Sequence, residues 1–137
     1  MTIKWLTALA SAATIGFGVW HLFVPRQWNW YSYMDPAATE LVLAVRAINF
    51  FFSFSLILLG VINLLIVFGE TKSTYPLVVV LGASSLLWLA RVVMQLLYPQ
   101  GTITPMLQYG MLAGFVVVFL LYAIATFLVW RCGYCTS

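Results

Sequence analysis

Charge is what this 137-residue chain has least of: six Lys or Arg and three Asp or Glu, 7% of the sequence against 64% apolar residues. A water-exposed domain carries about a quarter charged residues, so this composition excludes a soluble enzyme, a basic nucleic-acid module and a disordered tail. The six cations, Lys4, Arg26, Arg46, Lys72, Arg91 and Arg131, are dispersed. They form no basic patch, and nucleic acid is not an expected partner. A single histidine, His21, has no second His and no nearby Cys to share a metal with. The two cysteines both fall in the last six residues, which excludes the disulfide framework of a small secreted domain. What the chain does have is long apolar runs, and these identify an integral membrane protein.

A membrane-spanning helix needs about 20 predominantly apolar residues. Four stretches qualify, about Ile3–Val24, Leu41–Phe68, Pro76–Tyr98 and Pro105–Trp130, which predicts an all-α, single-domain, four-helix transmembrane bundle. Lys4 followed by small residues imitates a signal peptide, but the apolar run continues through Val24, longer than a usual signal core, and reads as a retained span. Pro25 is expected to end the first helix, since proline disfavours helix at the preceding residue. Asp35-Pro36 is expected to start the second, as N-cap and first-turn proline. A helix from Pro36 to Phe68 would be roughly 50 Å long, more than a bilayer core of about 30 Å, so its first turns should stand in the interface or the helix should tilt. Lys4, Lys72 and Arg131 fall on one side and Arg26 on the other. By the positive-inside rule both termini are expected in the cytoplasm, in a plasma or bacterial inner membrane, with a dual-topology protein as the alternative that three cations against one also fits.

The segment Arg26–Met34 is too polar to span and unusually aromatic. Trp28, Trp30, Tyr31 and Tyr33 carry the amphipathic rings that prefer the headgroup layer, so interfacial anchoring is expected, with a ligand-covering lid as the alternative.

Polar residues recur on each span at alternating spacings of three and four, the mark of one helix face. The first span gives Lys4, Thr7, Ser11, Thr14, Gly18 and His21. The second gives Thr39, Val42, Arg46, Asn49, Ser53, Leu56, Gly60 and Asn63, and the third Ser84, Trp88, Arg91, Gln95 and Tyr98. The fourth is weaker, with Gln108, Leu112, Phe115, Phe119, Tyr122 and Thr126. Such faces should turn inward, because hydroxyl, amide and guanidinium groups are costly against lipid. Most of the Ser, Thr and Gly positions read as packing glue. So do Ala8-x3-Ala12-x3-Gly16 and Gly110-x3-Gly114, whose small residues allow close approach within a bundle or between protomers.

Arg46 and Arg91 ask for more. Counted from the span ends, they sit about 7 Å and 10 Å below the outer boundary, where a charge costs several kcal/mol unless it snorkels, pairs or meets water. His21, Gln95, Gln108 and, at the rim, Asp35 and Glu40 share that half. Glu40 is the candidate counter-ion, yet six residues before Arg46 it points about 120° away around the helix, leaving Arg91 or solvent as its partner. An anionic headgroup, a carboxylate or phosphate ligand, or interfacial water would neutralise the positive surplus, and snorkelling without any ligand is the alternative. The leading expectation is a lipid headgroup or small amphipathic anion held by Arg46, Arg91, Asn49, Gln95 and His21, with Glu40 at the rim.

Cys132-Gly-Tyr-Cys135 has redox and half-zinc-site spacing. It is placed after a helix C-terminus, whose partial negative charge disfavours thiolate, and zinc would need two further ligands from another protomer. An inert reduced tail is expected, with redox, metal binding and acylation as alternatives.

Gly18-x-x-His21-x-Phe23-x-Pro25, in the first span of a short four-helix chain, resembles DoxX-like small membrane proteins. That resemblance implies an accessory or small-ligand role in a group associated with quinone-linked oxidation, and it carries over no site residue. Small multidrug exporters and fluoride channels are similar in size, but the acidic residue central to the first exporter helix is absent, and no channel motif is present. The sequence thus leads to a non-enzymatic membrane protein without a cofactor. Its expected partners are membrane lipid, a small amphipathic anion and a second copy of the chain. A small anion transporter or channel is the alternative, and a CxxC membrane oxidoreductase the third reading.

Overall fold

A computed structural model of the chain describes residues 2–69, 73–102 and 104–132. Four helices account for nearly all of them: α1 Thr2–Gln27, α2 Thr39–Phe68, α3 Thr74–Leu97 and α4 Pro105–Cys132. There is no strand among the described residues. Each helix is long and apolar enough to cross a membrane. Lys72 and Cys135, both used in the sequence reading, lie outside the described residues.

The helices run up and down, each antiparallel to the next. Gly18 of α1 faces Ser53 and Leu56 of α2, and Gly60 faces Ser11 and Ile15. α1 packs chiefly on α2 and α3 chiefly on α4; α1 also meets α4, while α2 and α3 touch less than the other neighbouring helices. One end of the bundle therefore carries the α1–α2 and α3–α4 connections. This connection end corresponds to the half called outer above.

Both helix boundaries that the prolines suggested are corrected. α1 runs through Pro25 to Gln27, and Trp28 N–H still bonds Val24 C=O at 3.0 Å. Val24 and Pro25 are both buried, so tertiary packing outweighs the local cost of a proline in the last turn. At α2, Asp35 does not cap the helix. Its Oδ1 accepts from Ala37 N–H at 2.9 Å, closing a local turn of the kind Asx residues favour, and the helix starts three residues after Pro36, at Thr39, with no side-chain cap. At 30 residues α2 is about 45 Å long.

The connections shape one end of the molecule. Asn29 adopts the left-handed conformation (φ 49°), which Asn tolerates better than most residues. Its carbonyl accepts from Ser32 Oγ at 2.8 Å, starting a 3-10 turn over Trp30–Tyr33. In the α3–α4 connection Gly101 has φ 78°, a conformation open to glycine at little cost, and its carbonyl accepts from Thr104 N–H at 3.2 Å.

Candidate functional site

In the middle of the bundle the polar faces meet around Tyr122, which has no exposed surface. Its hydroxyl donates to Ser11 Oγ at 3.3 Å, lies 3.1 Å from Thr14 Oγ1 and accepts from Asn63 Nδ2 at 3.4 Å. Asn63 also donates to Ser84 Oγ at 2.8 Å, and Trp88 Nε1–H donates to Thr14 Oγ1 at 3.1 Å. All four helices contribute to this cluster. Asn63, Thr14 and Ser84 are further tied to backbone carbonyls one turn back, so the cluster is largely satisfied internally, as buried polar groups in an apolar medium must be.

Toward the connection end the helices part. Between α1 and α4 lies a lateral groove of about 700 Å³, formed by Phe17 and Trp20 on one wall and by Gly110, Met111, Gly114 and Phe115 on the other. A second cavity of about 280 Å³ continues from it, sharing Trp20, Leu107 and Met111, and is rimmed by Trp28, Trp30, Gln100 and Thr102. An apolar slot thus leads to a polar, tryptophan-framed mouth. Ligand sites are commonly clefts of about 300–1,000 Å³, mostly apolar with a few placed polar groups.

Of the residues singled out in the sequence, Arg91 and Gln95 come together beside this mouth. Arg91 is half-buried, donates to Gln100 Oε1 at 2.6 Å, and holds its guanidinium 4.5 Å from the centre of the Phe115 ring. Gln95 is buried and donates through Nε2 to the Gln100 carbonyl at 2.9 Å, while its Oε1 has no partner among the described residues. α3 thereby grips the α3–α4 connection that frames the mouth.

Arg46, Glu40, His21 and Asn49 line neither the groove nor its mouth. Arg46 is exposed on α2, stacks over the Tyr31 ring at 4.8 Å and lines a separate groove with Met34 and Pro36. The structure thus places the two arginines on different grooves. Glu40 is exposed in the first turn of α2, and the partner the structure gives Arg91 is the Gln100 amide. His21 is half-buried, 3.4 Å from Ser53 Oγ and edge-on to Phe52 at 4.7 Å, with Phe17 and Trp30 also against its ring. Asn49 is buried. Among the described residues no group of His, Cys, Asp and Glu could hold a metal ion. Trp28 and Trp30 rim the mouth, Tyr31 lies under Arg46, and Tyr33 is exposed. Cys132 is exposed and is the last residue of α4, not a residue beyond it.

Sequence reasoning missed the groove walls. Gly110 and Gly114 looked like a helix-packing motif, but a Cβ at either would meet nothing within 4 Å, and the same holds for Gly16. Within the chain the close approach occurs at Gly18 and Gly60 instead. Small residues opposite a Phe17/Trp20 wall were the only signal, and in a single sequence that signal is the same as one for packing.

No protein-family model, curated protein or solved structure matches this chain.

Proposed function

We propose that the protein binds an anionic amphipathic lipid in the α1/α4 groove, with its headgroup in the mouth beside Arg91 and its chain along Phe17, Gly110 and Gly114. The observation that carries this reading is the continuity of a large apolar slot with a polar mouth whose rim residue Gln100 is bonded by the half-buried Arg91 guanidinium. Arg91 is held by a neutral amide, so its charge is left for a ligand to neutralise, which suits a phosphate or carboxylate headgroup. Trp20, Trp28 and Trp30 suit the boundary between chain and headgroup. Binding fits better than conduction, because a path along the bundle axis would have to pass the Tyr122 cluster, whose members are fully buried and bonded to one another.

Gly114→Leu and Arg91→Gln test the reading. The first fills the slot from a position with free space around it, and the second removes the charge while keeping hydrogen-bonding capacity. Each is expected to cut anionic lipid retained through detergent purification about tenfold, a change of roughly 1.4 kcal/mol. Arg46→Gln, on a different groove, should change it by less than half. Unchanged retention in both Gly114→Leu and Arg91→Gln would reject the groove as the binding site.

The same reading places both termini in the cytoplasm of a plasma or bacterial inner membrane, on the strength of Lys4, Lys72 and Arg131. The mouth then faces the outer leaflet. A membrane-impermeant maleimide applied to intact cells is expected to leave Cys132 and Cys135 unlabelled until the membrane is opened. Strong labelling from outside would put the groove in the cytoplasmic leaflet.

A further inference from the structure

A second lateral groove, of about 160 Å³, opens between α2 and α3, which touch less than the other neighbouring helices. Phe52 and Leu56 form one wall, Leu87, Ala90 and Arg91 the other, and its back is formed by Phe17 and Trp88. Those two rings also line the α1/α4 groove. The two grooves are therefore opposite faces of one aromatic partition, in which Phe17 lies 5.7 Å from Trp88 and 5.2 Å from Phe115, both edge-on. Arg91 stands one turn above Trp88 on α3, on the connection-end side. Its guanidinium lies against Phe115 of the first groove, its side chain lines the second, and it bonds Gln100 at the mouth.

One cation thus lines the smaller slot and touches both a wall residue of the larger slot, Phe115, and a rim residue of the mouth, Gln100. We propose that the lipid bound here is a two-chain phospholipid whose phosphate lies at Arg91 and whose acyl chains straddle the Phe17/Trp88 partition, one in each groove. The proposal rests on the groove-binding reading above and adds the class of lipid. A single-chain amphiphile needs only the larger slot; the second slot, with the same cation at its rim, has the position expected for a second chain. Because that slot is short and open at the side, it holds only part of a chain, and the remainder runs into the surrounding membrane.

The experiment is native mass spectrometry of the full chain in detergent, titrated separately with dioleoyl phosphatidylglycerol, its monoacyl (lyso) counterpart and glycerol phosphate. A second tethered chain raises affinity through effective concentration. The diacyl lipid is therefore expected to bind at least about tenfold tighter than the lyso lipid, and glycerol phosphate to bind negligibly. Ala90→Leu narrows only the second groove. It should bring the diacyl lipid down to the lyso level and leave lyso binding unchanged; Leu87→Phe, filling the same groove one turn away, repeats the test if Ala90→Leu does not fold. Equal affinity for the two lipids in the unmutated chain, or a diacyl preference that survives these variants, would overturn the two-chain proposal while leaving the groove reading intact. Failure of both lipids to bind would overturn both.

Discussion

Gly18→Leu is expected to lower the stability of the purified protein by about 3 kcal/mol, the upper range for overpacking a close contact, whereas Gly114→Leu should stay within about 0.5 kcal/mol, as for an uncrowded surface position. The two glycines look alike in sequence, each a small residue in a hydrophobic helix, and only geometry separates them. A Cβ at Gly18 would stand 2.8 Å from the Ser53 carbonyl oxygen and 3.1 Å from Leu56 Cβ. Neither can swing away, since one is backbone and the other is rooted on it, so α1 and α2 would have to separate along their most extensive contact. At Gly60 the added carbon would meet Ile15 Cγ1 at 2.6 Å and the Ser11 carbonyl oxygen at 3.0 Å. Gly60→Leu should therefore behave like Gly18→Leu, although the flexible Ile15 side chain absorbs part of the strain. Reversible unfolding in mixed micelles, followed by far-UV circular dichroism, measures all three. A Gly114→Leu loss as large as that of Gly18→Leu would show that α4 is packed at Gly110 and Gly114 after all, and the groove would be lost with it.

The four-helix architecture was legible because it follows from composition and length: apolar runs long enough to span, separated by short polar breaks, leave few other folds. The polar faces were legible for a related reason. In an apolar medium Ser11, Thr14, Asn63 and Ser84 have to find partners on other helices, so a spacing of three and four marks the interior even where apolar periodicity is flat. Helix ends were less so. Pro25 and Asp35 were read by local rules, and at Pro25 burial overrode the rule, while Asp35 spent its carboxylate on its own turn. Within the site, depth marked Arg91 as unusual, but depth alone treated Arg46 identically. What separates them is the neighbour each ring system provides, Phe115 for Arg91 and Tyr31 for Arg46, and this depends on how α4 and the 3-10 turn are set against α3 and α2. The groove was not legible at all, because an empty volume is a property of helix splay, and splay follows from the sum of many side-chain contacts.

Trp88→Ala is expected to cost about 3 kcal/mol, and Trp88→Phe about 1 kcal/mol. In water, truncating a buried tryptophan costs roughly 3–5 kcal/mol, part of it from returning apolar surface to solvent. Here the separated helices are already surrounded by apolar chains, so that part shrinks and the loss comes from the void left between Phe17 and Phe115, each 5.7 Å from the indole. The hydrogen bond to Thr14 Oγ1 at 3.1 Å is the smaller share, because Thr14 keeps its bond to the Ala10 carbonyl and its contact with Tyr122, and interhelical hydrogen bonds in membrane proteins average about 0.6 kcal/mol. Phenylalanine retains most of the ring packing and loses the N–H and the remainder of the smaller ring. Equal losses for the two variants would mean that the bond to Thr14, and through it the Tyr122 cluster, dominates the stability of this region. Losses below about 0.5 kcal/mol for both would mean that the aromatic partition carries little packing energy and that α1, α3 and α4 are held together elsewhere. The expected order, alanine well below phenylalanine, assigns Trp88 the part of a buried structural wall between two grooves, fixed in position by its bond to Thr14 of α1.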